Sequence, residues 1–120
     1  MENPIRENCY EEEKQKAQKF YASIGKIWCP ALNEYVLFDR SGFRHLIWKN
    51  TVPRPRNEQK RRFALLPQSV KILENQNAHI VHRKENNLNF WAFTEKHTDK
   101  TIKVIVRQID GREKHFFSVF

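Results

Sequence analysis

Three observations in this sequence predict an α+β fold. Helix-forming segments are concentrated before residue 77, period-two alternation of apolar and polar residues fills positions 78–120, and short turn segments divide that alternation. Helices should therefore pack on one face of a twisted antiparallel sheet of about four strands, with a small hairpin preceding it. The 120 residues suffice for one domain with a modest core. They divide into an acidic N-terminal helix, 1–23, and an α+β domain, 24–120.

Residues 5–21 are strong helix formers, with Pro4 placed to open the helix and Ile5, Cys9, Tyr10, Ala17, Phe20 and Tyr21 loosely on one side. Gly25 follows its end. Two strand-like runs, 26–29 and 34–38, flank a Pro-Ala-Leu-Asn turn. Asp39 to Ser41 then supplies caps for a short helix, about 42–49, with Phe43, Leu46 and Ile47 inward and His45 and Lys49 one turn apart. A loop stiffened by Pro53 and Pro55 leads to a helix capped by Asn57, with Phe63 and Leu66 inward. Pro67 should interrupt that helix and start a further turn through Val70, Ile72 and Leu73.

Four strands follow, at 78–83, 88–94, 101–108 and 114–120. They are joined by Asn86-Asn87, residues 96–100 and Asp110-Gly111. On the third, Ile102, Val104 and Val106 share the face that helices would cover. Lys103 and Arg107 share the other, where Trp91 would offer a ring for a base to stack on.

Charge points toward a partner. The chain carries +8, yet residues 1–13 hold −4 (Arg6 against Glu2, Glu7, Glu11, Glu12 and Glu13), which leaves +12 for the rest. Residues 49–62 alone hold +5, from Lys49, Arg54, Arg56, Lys60, Arg61 and Arg62 against Glu58. Such a cluster suits phosphate or an acidic protein. Cys9 and Cys29 have neither metal-ligand spacing nor a framework pattern, so no metal, disulfide or cofactor is expected. The start lacks a basic-then-apolar leader, and no window approaches a membrane span. The expected location is the cytoplasm, or a target cytoplasm reached as part of a larger effector.

The stretches 41–49, 65–75, 101–107 and 114–119 are similar to the phage-associated nuclease domains of the barnase–EndoU–colicin–RelE-like superfamily. The resemblance covers residues 24–120. It implies a nuclease-like α+β domain that cleaves RNA without a metal. His45 corresponds to the helical histidine of a Gly-x-x-His-Leu pattern, Arg107 to the basic residue closing the penultimate strand, and Ser118 to a hydroxyl on the last strand. The heavily basic segment from Arg54 to Arg62 departs from the family pattern.

Proton transfer at neutral pH suits His45. Arg107, Lys49 and Arg62 are candidates to stabilise phosphate charge. His115 is a second proton carrier, but it has opposite parity to Ser118, and a regular strand presents only one of them to the site. Candidate RNA contacts are Lys49, Arg54, Arg56, Lys60, Arg61, Arg62, Lys103 and Trp91. The expected activity is an endoribonuclease acting on tRNA or mRNA to leave a 2′,3′-cyclic phosphate, a toxin or effector with an acidic antitoxin or immunity protein as possible partner. Two alternatives stand beside it: a non-catalytic RNA- or DNA-binding module, and a phage-type inhibitor of an acidic protein.

Overall fold

The computed structural model describes residues 3–120, with side chains from Cys9 onward. The expected charge contributions of Glu2, Arg6 and Glu7 and the packing of Ile5 lie outside what is described. The elements are α1 (Asn3–Ile24), β1 (Lys26–Cys29), β2 (Glu34–Leu37), α2 (Arg40–Ile47), β3 (Trp48–Lys49), β4 (Val52–Pro53), α3 (Arg56–Glu74), β5 (His79–Glu85), β6 (Leu88–Lys96), β7 (Thr101–Ile109) and β8 (Lys114–Val119).

The fold is α+β, and its sheet is larger than expected. Six strands run in the order β1-β2-β8-β7-β6-β5. The β5–β8 meander is antiparallel, and the β1–β2 hairpin joins it through a parallel pairing of Val36 with Lys114 and Leu37 with His115. That pairing covers two residues only. Beyond it α2 takes over the flank of β8, and Gly42 lies so close that an added Cβ would stand 2.7 Å from the Phe116 carbonyl oxygen.

Helices cover one face of the sheet. Across it runs the row Ile80–Phe93–Val104–Val119, and the last three are fully buried. Ile102, Val104 and Val106 are core as expected. From α3, Phe63, Leu65, Leu66, Ile72 and Leu73 meet them, because their spacing keeps one stripe of the helix apolar. α1 lies along α3 and closes the corner through Tyr21, whose ring abuts Phe38, Phe43 and Phe116. Of the residues expected on its inner side, Tyr10, Ala17 and Tyr21 are buried, while Cys9 and Phe20 are exposed.

Two helical boundaries differ from expectation. α2 ends at Ile47, so Lys49 lies in the small β3–β4 hairpin and is not one helical turn from His45. Asn50 at φ 58° makes that reversal. α3 begins at Arg56 with Pro55 in the capping position, and it continues through Pro67 as one helix. Burial of the residues on both sides of Pro67 holds the helix together, and on the next turn the Ser69 hydroxyl donates to the Leu65 carbonyl at 3.1 Å. Tertiary packing there outweighs the local preference of proline. Among the described residues no helix is long and apolar enough to cross a membrane.

Candidate active site

The other face of the sheet carries no helix, and cross-strand pairing fixes what it displays. Lys26 pairs with Leu37, Leu37 with His115, His115 with Arg107, Arg107 with Phe90 and Phe90 with Arg83. Paired residues share a face, so these six side chains form a single row across all six strands.

β8 is bulged. Ile105 pairs with Ser118 and Val106 with Phe116, which leaves Phe117 as an extra residue. The bulge reverses parity between His115 and Ser118. By register Ser118 comes to the same side as His115, yet Ser118 is buried with its hydroxyl held by Arg62, so of the two only half-buried His115 is presented to the site. The bulge also lets Phe117 act as the floor of the site. The His45 ring lies 4.1 Å from the Phe117 ring centre, and the Arg107 guanidinium lies 4.6 Å from it.

α2 brings His45 there because Asp39 caps the helix. Its carboxylate accepts from the Gly42 amide at 3.2 Å and from the Ser41 hydroxyl at 2.8 Å. Leu46, the next residue, is fully buried and fixes the rotation of the helix. Arg54 donates from Nε to the His45 carbonyl at 2.9 Å and from its amide to the Ile47 carbonyl at 2.7 Å, which ties the basic segment to the end of α2.

The electrostatics favour neutral imidazoles. Burial, then the charges of Arg107, Arg54, Arg44 and His115, push His45 below the ordinary histidine range. His115 is also lowered, first by burial and further by Arg107, while Asp39 and the Glu113 backbone oppose this. Arg107 Nε and His115 Nε2 are shielded from solvent and have no hydrogen-bond partner among the described residues. Buried polar atoms left without a partner are unusual, and these two belong to residues paired across β7 and β8.

Several candidates sit elsewhere. Trp91 pairs with Val106, so it belongs to the helix side, stacked on His82 at 4.8 Å with Lys114 Nζ 4.7 Å from its ring. It is no platform for the open face; Phe90, its neighbour, has that orientation. Arg62 is buried and donates to Glu58 at 2.7 Å, to Ser118 Oγ at 2.8 Å and to the Val119 carbonyl at 3.0 Å. This contact occupies the Ser118 hydroxyl as well. Arg61 pairs with Glu58, and Lys60 pairs with Glu13 of α1 at 3.3 Å. Arg56 covers the Tyr10 ring at 4.3 Å. Much of the basic run therefore binds α1 and the end of β8. Lys49 and Lys103 are exposed, and Lys103 lies on the open face through its pairing with Thr94.

Phe117 and Phe90 were not singled out from the sequence. Phe90 carried a usable signal, since it alternates with Trp91 and only one of the two can share a face with Arg107. Among the described residues no three His, Cys, Asp or Glu side chains cluster as metal ligands would. Comparison with known family models, curated proteins and solved structures finds no match for this chain.

Proposed function

We propose that this protein is a metal-independent endoribonuclease that cleaves RNA through attack by the 2′-hydroxyl, acting on tRNA or mRNA in the cytoplasm as a toxin or effector. The observation that carries this reading is the meeting of His45 and Arg107 on the Phe117 ring, with His115 paired to Arg107. Neutral His45 takes the proton of the 2′-hydroxyl as the 2′-oxygen bonds to phosphorus. The bond from phosphorus to the 5′-oxygen breaks, and protonated His115 donates its proton to that departing oxygen. A 2′,3′-cyclic phosphate and a 5′-hydroxyl result. Arg107 neutralises the non-bridging oxygens, a role in which one positioned donor contributes about 3–4 kcal/mol.

The test is incubation of the protein with total RNA and with tRNA in EDTA, beside His45→Ala. Cleavage to cyclic-phosphate ends is expected, slowed by about 10²–10⁴-fold in the variant. Full activity without the imidazole would overturn the assignment. A second reading, RNA binding without cleavage, draws support from the half-buried state of both histidines. It expects salt-sensitive binding, no product and no response to His45→Ala.

A further inference from the structure

Two large rings on β1 and β2 stand uncovered on the same open face. Trp28 and Tyr35 are 46% and 49% exposed, pair directly across the hairpin and contact each other edge-on at 5.1 Å. Lys26 Nζ lies 4.4 Å from the centre of the Tyr35 ring. Exposed aromatic pairs of this kind mark binding surfaces, because water is a poor environment for both rings. Beyond the row's centre, on β6, Phe90 is half-buried with the Arg83 guanidinium 5.5 Å from its ring.

Sheet order places these rings on either side of the candidate centre. β2 adjoins β8, which carries His115, and β6 adjoins β7, which carries Arg107. Strands lie about 4.8 Å apart. Tyr35, two residues along β2 from Leu37 of the row, is thus one strand step from β8, Phe90 is one step from β7, and Trp28 lies one strand further out. Rings outside, with half-buried Arg107 and His115 between them: that order matches bases flanking a phosphate.

We infer that the open face is a track for single-stranded RNA, with bases stacked on Trp28–Tyr35 and on Phe90 and the intervening phosphate at Arg107 and His115. The identity of the ligand rests on the function proposed above. Stacking of this type accepts any base, whereas a duplex keeps its bases stacked on one another and cannot offer them to two separate platforms. Lys26 and Arg83, at the two ends of the row, meet backbone charge on the flanks.

Binding is measured by fluorescence anisotropy with His45→Ala protein, a labelled short single-stranded RNA and its duplex. Single-strand binding should exceed duplex binding. Adding Trp28→Ala and Tyr35→Ala should weaken it by at least about tenfold, and Phe90→Ala by about fivefold or more, as the loss of base stacking requires. Trp28→Phe with Tyr35→Phe should retain most of the affinity. All of these tests use the full chain, and Trp28 and Tyr35 are exposed enough for their loss to leave folding intact. Unchanged affinity in the alanine variant, or equal binding of single strand and duplex, overturns the track. Capture of an acidic protein without RNA affinity does so too. Should cleavage require His45 while Trp28→Ala with Tyr35→Ala leaves KM unchanged, the track fails and the nuclease stands. With ring-dependent binding and no cleavage, the track stands and the nuclease fails.

Discussion

His45 and His115 are held below the ordinary histidine range by the same leading cause, burial, and both feel Arg107. The proposed cleavage needs one of them neutral and the other protonated, and that combination is most populated between the two depressed values. The kcat/KM profile should therefore be bell-shaped with its maximum below pH 6.5, the ordinary histidine value. His115→Ala should remove the alkaline limb. Stability carries the same signature. A lowered folded value means that stability is full above about pH 6.5 and is lost as pH falls through the depressed values, since protonation favours the unfolded chain. Thermal melts from pH 8 to pH 5 should show this loss, with His45→Gln shrinking it. Arg62 makes a different prediction. It is buried against Glu58, Ser118 and Val119, so Arg62→Met should cost about 1.5–3 kcal/mol in urea denaturation, whereas exposed Arg61→Ala should stay within about 0.5 kcal/mol. At this scale His45 and Arg107 were legible as residue types suited to the proposed chemistry. The bulge at Phe117 was not, because one extra residue leaves no mark in an alternating pattern.

Among the elements, α2 is the one whose position the site depends on, and Gly42 sets how closely it approaches β8. A Cβ there would stand 2.2 Å from the Tyr21 hydroxyl and 2.7 Å from the Phe116 carbonyl, and backbone cannot yield as a flexible side chain does. Gly42→Ala should therefore destabilise the protein by about 1–3 kcal/mol or more and lower cleavage further by lifting His45 from Phe117. Loss of activity with stability unchanged would contradict this. The strands of the meander and the first hairpin were readable because alternation and turn residues are local signals. The continuity of α3 through Pro67 was not, since packing against the sheet decided it. The parallel joining of β2 to β8 was equally hidden: it depends on residues nearly eighty positions apart, and no local pattern encodes it.

Over the whole molecule, the +8 charge is less available than its total suggests. Contacts with α1 occupy Lys60 and Arg56, and the end of β8 occupies Arg62, so the open face relies on Lys26, Lys103, Arg107 and Arg83, the last in an exposed ion pair with Glu85 at 3.2 Å that phosphate would have to replace. With about four phosphate contacts, binding of single-stranded RNA should weaken with salt at a log–log slope near −3, and Lys103→Ala should reduce the slope by about 0.7. A salt-independent affinity would show that the face does not meet phosphate. The acidity of the first helix and the basicity of residues 49–62 were evident in the sequence. Whether the acidic helix would dock on the protein's own basic segment or face a partner was open in the sequence; α1 lying along α3, with Lys60 paired to Glu13, shows the first at that contact.

β8 is the last strand of the sheet to leave the ribosome, yet it belongs in the interior between β2 and β7. Until it inserts, the first hairpin has no neighbour to join, and neither His115 nor the Phe117 floor exists. A nascent chain halted before residue 114 therefore carries His45 and Arg107 without a centre for them to serve. Whatever the open face acts on, that face is assembled only once residues 114–119 are in place.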